Sequence, residues 1–295
     1  MNSTHTLIFQ HLHRTGGTTL YSIMKRYFDA DTNYIIDALR NGKRFSVEYF
    51  LGLPQNEKDS ITLLRGHMPF GLHIHFSHPC DYITIVRDPV ERILSEYARL
   101  TMWRDISHIR NFEKLKGISL KDFVTSNFAA ANNYQTRVLS GNWTGQYEEA
   151  SLLEEGVLED AKHNLRKYFT AVGVTDRLDE TVVILAKIFG WKNPYYAKKR
   201  QVGKYSGTIP QGYSEIHEII RDKNKLDNEL YQFAGKMLEE SIMHYGPNFK
   251  RDFRRFRFMN NCFGAFYNIG RRLPDSLRKP IKRMLRTTGY ENLLP

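Results

Sequence analysis

The chain has 295 residues, is 41% hydrophobic and 25% charged, and carries a formal net charge of +11. That length buries a sizeable core as one large domain or two small ones, and the ordinary composition excludes a repeat or disordered protein. From Pro247 onward there are twelve Lys/Arg against three Asp/Glu, a net of +9, so the first 246 residues hold only +2, which argues against a basic nucleic-acid groove.

In chain order, Leu7–Leu12 reads as a buried strand and Thr18–Phe28 as an amphipathic helix with Leu20, Ile23, Met24 and Tyr27 on one side. Residues 29–60 read as mixed and loop-like. Ile61–His67 is a second short apolar strand. Tyr82–Val86 is β-rich and leads into a helix, with Asp88 at the N-cap, Pro89 at the first helical position and Glu91 completing a capping box. Residues 102–166 read as mostly helical around a loop at "SGNWTGQ". Tyr168–Asp176 is a further strand, the helix "DETVVILAKIFG" follows, and a basic loop precedes one long helix from about Tyr213 to His244. Strands alternating with helices predict a three-layer α/β fold with a central, mainly parallel sheet flanked by helices.

Cys80 and Cys262 stand far apart and outside any CxxC pattern, which gives neither a disulfide framework nor a zinc ribbon. The opening "MNSTHT" enters an apolar run without a charged leader, and no run reaches the roughly 18–20 apolar residues that span a bilayer, so a cytoplasmic chain is the expectation.

In an open parallel sheet, ligands bind beyond the carboxyl ends of the strands. The turn "HRTGGTT" lies there, between a strand and a helix N-terminus, where backbone N–H groups and the helix dipole favour an anion. Gly16 and Gly17 let the backbone curl close to a phosphate or sulfate, Thr15, Thr18 and Thr19 add hydroxyls, and Arg14 adds a planar cation. The turn is no standard P-loop, because Thr18 stands where that pattern needs lysine. Arg87 ends another strand and Ser95 lies two helical turns on, so the two suit a second phosphate; the alternative is that Arg87 pairs with Asp88 or Glu91. Asp88, Glu91 and Arg92 read as capping and surface pairing.

"HLHRTGGTTL" followed by "YITIVRDPVERILSEY" resembles the paired phosphosulfate- and phosphate-binding elements of the sulfotransferase superfamily, among its carbohydrate O-sulfotransferases those related to heparan sulfate 2-O-sulfotransferase. The resemblance continues in order through "NNYQTRVLSG", "AVGVTDRLDETVVILAKIFGW" and "LDNELYQFA", covering roughly residues 6–245. It implies a P-loop-like fold and a donor, 3′-phosphoadenosine 5′-phosphosulfate, whose sulfuryl group passes to a hydroxyl of a carbohydrate or glycolipid. By the matching positions Arg14, Thr15, Gly16, Gly17, Thr18 and Thr19 hold the 5′-phosphosulfate, while Arg87 and Ser95 hold the 3′-phosphate. The loop from Arg200 to Lys204 resembles the segment that closes over the nucleotide. One departure is Arg14, where the family usually has lysine. No metal is implied.

Moving a sulfuryl group to an alcohol needs a base near neutral pKa. His67 in "LLRGH" follows a strand and matches the family's catalytic histidine; Arg14 is expected to stabilise the leaving oxygen. His73, His75, His78 and Cys80 crowd the next stretch, which reads as a loop on the acceptor side rather than a metal site. Gln135 and Arg137 carry no assignable chemistry, and Trp191 reads as core rather than an adenine platform. The alternatives are a nucleotide kinase and a non-catalytic polyanion-binding protein.

The segment 247–295 forms the second unit after a body of 1–246. In it Leu277, Ile281 and Leu285 recur among Arg278, Lys279, Lys282 and Arg283, a short basic amphipathic helix suited to an anionic membrane surface or an acidic glycan, the alternative being a terminal helix packed on the body with a solvated basic face. Peripheral membrane attachment is therefore an expectation beside the cytoplasmic one.

Overall fold

The computed structural model describes residues 5–36, 38–40, 43–102, 111–143, 145–197 and 213–274, with 276–277, 279–281 and 283 beyond them. The chain forms β1 (Thr6–Gln10), α1 (Gly17–Met24), β2 (Asn33–Ile36), β3 (Ala38–Arg40), β4 (Lys43–Phe45), α2 (Val47–Leu51), α3 (Gln55–Asp59), β5 (Leu63–Gly66), β6 (Cys80–Val86) and α4 (Pro89–Met102). It continues through α5 (Phe112–Leu115), α6 (Leu120–Thr125), α7 (Tyr134–Ser140), α8 (Val157–Tyr168), β7 (Phe169–Val174), α9 (Leu178–Phe189), α10 (Tyr213–Lys223), α11 (Lys225–Tyr245) and α12 (Phe249–Arg272).

Five strands make one sheet in the order β2–β5–β1–β6–β7, every pairing parallel. All five residues of β1 are buried, as a central strand covered on both faces requires. The chain leaves β1 for one side of the sheet, returns beside it as β5, and crosses to the other side as β6. That reversal opens a crevice beyond the carboxyl end of β1. The four strands read from the sequence all form. The fifth, β2, and the β3–β4 hairpin arise within 29–60, where short strands without apolar alternation leave little periodicity to read.

α4 begins as its sequence dictates: the Asp88 carboxylate accepts the Glu91 N–H at 3.0 Å and Pro89 follows the cap. The expected long helix from Tyr213 is two helices, broken at the fully buried Asn224. The Asn224 side chain accepts the Asn133 N–H at 2.8 Å and donates to the carbonyls of Ala131 and Ile220. A side chain that bonds this many backbone groups favours leaving the helical path.

Beside that break, α7 and α11 cap one another. The buried Asp227 carboxylate accepts from the backbone N–H groups of Gln135 (3.1 Å) and Thr136 (2.8 Å) and from the Thr136 hydroxyl (2.9 Å). In return the Asn133 side-chain oxygen accepts from the N–H groups of Leu226 and Asp227, both at 3.1 Å. Each helix thus satisfies first-turn donors of the other. Asp227→Ala should therefore strand buried N–H groups and cost about 2–3 kcal/mol. Urea unfolding reads this directly, and a variant as stable as the parent would remove the cap from any structural role.

Candidate anion-binding site at the sheet edge

Six residues, His11 to Gly16, join β1 to α1. Arg14 has φ 67° and Gly16 φ 93°, so the turn passes twice through the left-handed region, once at a bulky residue that rarely adopts it. Gly17 packs so closely that an added Cβ would lie 2.0 Å from the His11 ring. Thr15 is buried; its hydroxyl donates to the Leu12 carbonyl at 2.9 Å and its own carbonyl accepts from the Thr175 hydroxyl at 2.8 Å. Thr175 follows β7, so the turn is tied across the sheet edge. Thr18 is exposed and Thr19 half-buried in the first turn of α1, at the positive end of its dipole.

The second element converges on the first. The Arg14 guanidinium donates to the buried Ser95 hydroxyl through Nε (3.0 Å) and Nη2 (2.9 Å). Arg87 Nη1 donates to the Arg14 carbonyl at 3.0 Å, which holds the left-handed residue in place. Arg87 Nη2 also meets Glu91 at 3.2 Å, the ion pair foreseen as the alternative to an anion. Glu91 is largely exposed, and such a pair is worth about 0–1 kcal/mol, so it holds the Arg87 guanidinium only weakly.

His67, immediately after β5, lies at the same edge. Its Nδ1 donates to the His11 carbonyl at 2.7 Å, which leaves Nε2 as the basic nitrogen. Its ring stacks on His13 with centroids 3.4 Å apart and lies 4.5 Å from the His11 ring. Both neighbours are pushed well below the usual imidazole value, first by burial, then by His67 and by nearby guanidiniums: Arg65 and Arg14 for His11, Arg99 and Arg92 for His13. The neighbours are thus held neutral.

Several sequence expectations land elsewhere. Arg200 and Lys204 lie outside the described residues. Leu72–His75 is a single 3-10 turn, in which the His73 N–H donates to the Tyr82 hydroxyl; His78 lies against Thr6 and Asp59. Among the described residues no group of three His, Cys, Asp or Glu is arranged to hold a metal ion. Trp191 is core, 5% exposed and sandwiched by Tyr27 and Phe189. Arg92 is not a surface residue: it is fully buried, with its guanidinium over the Tyr134 ring and a hydrogen bond to the Ala130 carbonyl. Helical phase decides this, since position 92 faces inward with Ser95 and Glu96.

The residues that sequence reasoning missed are the supports. Gln135, without a role in the sequence, accepts the Arg87 N–H at 2.9 Å and donates to the Arg87 carbonyl at 2.8 Å. Arg137, equally unassigned, turns inward to the carbonyls of Asn132 and Ser151. Buried Glu96 bonds Arg99 and the Tyr147 hydroxyl, and its charge offsets part of what burial costs Arg14. His11, at the end of the apolar strand, and His13, at the start of the turn, were given no role; their alternation with Leu12 was the available signal.

A doubly left-handed turn at a helix N-terminus, two guanidiniums and an imidazole meet at the switch point of the parallel sheet, so the α/β fold gathers its fixed cations and free-turn N–H groups at one edge. The chain belongs to the galactose-3-O-sulfotransferase family, whose description matches residues 2–265. It is similar to heparan-sulfate 6-O-sulfotransferase 2 of Mus musculus, 26% identical over 289 residues, covering 85% of this chain and 47% of that protein. The Danio rerio protein of the same name is 25% identical, over 96% of this chain and 66% of its own length. Human uronyl 2-sulfotransferase is 24% identical over 192 residues, 56% of this chain and 46% of that one. The chain thus spans less than two thirds of the length of each of these relatives.

Because His11 and His13 titrate lower in the folded chain than in the unfolded one, the unfolded state binds more protons below about pH 6.5. Their contribution to stability is complete above that value and is lost as pH falls beneath it. Melting temperature should be level between about pH 7 and 8 and decline below 6.5, with a shallower decline in His13→Asn. An equal slope in parent and variant would mean that His13 is protonated without penalty in the fold.

Proposed function

We propose that the chain transfers a sulfuryl group from 3′-phosphoadenosine 5′-phosphosulfate to a hydroxyl of a carbohydrate or glycolipid. Family membership supports the reaction class. The observation that carries the donor is the meeting of the two anion elements: Arg14 reaches Ser95 while Arg87 reaches the Arg14 carbonyl, so cations from both elements face one crevice. A donor with phosphate groups at both ends of its nucleoside suits that pairing. A nucleotide kinase fits less well, since Thr18 stands at the lysine position of a P-loop.

In the proposed mechanism the acceptor oxygen attacks sulfur in line with the bond to the 5′-phosphate. The O–S bond forms as the bond to the phosphate oxygen breaks, and adenosine 3′,5′-bisphosphate leaves. The acceptor proton passes to His67 Nε2, whose tautomer is set by the His11 carbonyl at Nδ1. Neutral His11 and His13 flank that imidazole without adding charge beside it. Arg14 neutralises charge growing on the leaving oxygen. Its planar fork is already oriented by Ser95, where a lysine would present a single point charge.

Transfer of labelled sulfate from the donor to a panel of galactose- and uronate-containing glycans tests the reading. His67→Ala should lower kcat by about 10²–10⁴-fold while adenosine 3′,5′-bisphosphate still binds. A variant with full turnover would remove His67 from the role of base.

A further inference from the structure

α12 carries apolar side chains on both sides, and among the described residues only one side has a partner. Its inner face buries Phe249, Phe256 and Phe263; the last two pack on Tyr195, and Asn260 accepts the Tyr196 N–H at 2.7 Å. This face seats the helix against α9. On the opposite face Phe258, Ala265 and Ile269 recur at helical spacing with Phe266 beside them. Phe258 is 68%, Phe266 62% and Ile269 59% exposed. Large apolar side chains in such a row are unusual on a solvated helix.

The charge on the same helix says what covers the row. Lys250, Arg251, Arg254, Arg255, Arg257, Arg271 and Arg272 stand against one acid, Asp252, which is itself engaged by Arg251 and the Tyr245 hydroxyl. Beyond the helix, Leu277 and Ile281 are again exposed, beside Lys279 and Arg283. No helix among the described residues is long and apolar enough to cross a membrane. A polyanionic glycan or nucleic acid would satisfy the cations and leave the Phe and Ile side chains in water. A second copy would set two strongly basic helices face to face. A bilayer with anionic headgroups answers both features at once, taking the apolar row into the headgroup boundary and the cations at its surface.

We propose that the outward face of α12 is a docking surface for an anionic lipid bilayer, with Phe258, Phe266 and Ile269 inserted at the interface and the flanking arginines on the headgroups. Docking is independent of the transfer reaction. It extends the surface foreseen around Leu277–Leu285 back onto a helix fixed to the body.

The test is co-sedimentation of the full chain with phosphatidylcholine vesicles, alone or with about one third phosphatidylglycerol. The parent should bind only the anionic vesicles. Phe258→Ser with Ile269→Ser should weaken partition about tenfold or more, and Arg254→Glu with Arg255→Glu should weaken it as well. Phe258→Trp, a milder change, should retain binding and shift its fluorescence to the blue on anionic vesicles, which holds the test open should the serine variant unfold. Three results would overturn the proposal: no sedimentation of the parent with anionic vesicles, undiminished binding by a folded serine variant, or no spectral shift from Trp at 258. Self-association through this face, detected as a dimer that the serine variant loses, would also overturn it.

Discussion

Everything at the sheet edge depends on how the backbone of Arg87 is held. Its N–H and carbonyl are both bonded by the side-chain amide of Gln135, 48 positions away. Gln135 lies in the first turn of α7, and that turn is anchored by the buried Asp227 of α11. Asn133 closes the loop by capping α11. One polar network therefore runs from the last third of the chain to the end of β6 and on, through Arg87, to the carbonyl of Arg14. Networks of this kind are stiff when every member is satisfied, and the reciprocal caps satisfy them here. Three sequence elements that look unrelated, "NNYQTRV", "VRDP" and "LDNEL", are parts of one clamp.

The clamp matters because the crevice is electrostatically costly. Arg14, Arg87, Arg92 and Arg99 gather near three histidines, and burial alone disfavours the charge on Arg14 and Arg87. Two carboxylates offset part of this: Glu96 from within the fold, Glu91 from its surface. The histidines avoid adding to it by staying neutral at His11 and His13. What remains is an excess of fixed positive charge at the end of the strands, the feature on which the proposed donor site rests. A left-handed arginine is tolerated there because Ser95 and Arg87 hold both its side chain and its carbonyl.

Much of this was legible before any coordinates. The strand–turn–helix units announce themselves through buried apolar runs, glycines and the Asp88–Pro89 cap, and they place Arg14, Arg87, Ser95 and His67 at one edge. Arg92 was misjudged because charge suggested surface, whereas the phase of α4 turns it under Tyr134. The break at Asn224 was invisible because apolar periodicity runs through it, and only long-range partners at Asn133 and Ala131 explain it. Gln135 was unreadable for the same reason: an amide that bonds a backbone 48 residues away leaves no local signature. The outward face of α12 was half legible, its cations conspicuous in the composition and its exposed aromatic row decided only by which Phe side chains the body takes.

The most direct measurement is calorimetric titration with adenosine 3′,5′-bisphosphate beside AMP and ATP, in the parent, in Arg87→Ala and in Gln135→Ala. The bisphosphate should bind in clear preference to AMP, with that preference lost in Arg87→Ala and weakened in Gln135→Ala, which disturbs the clamp without removing a cation. Equal binding of bisphosphate and AMP by the parent, or an undiminished preference in Arg87→Ala, would contradict a crevice built around two anion sites.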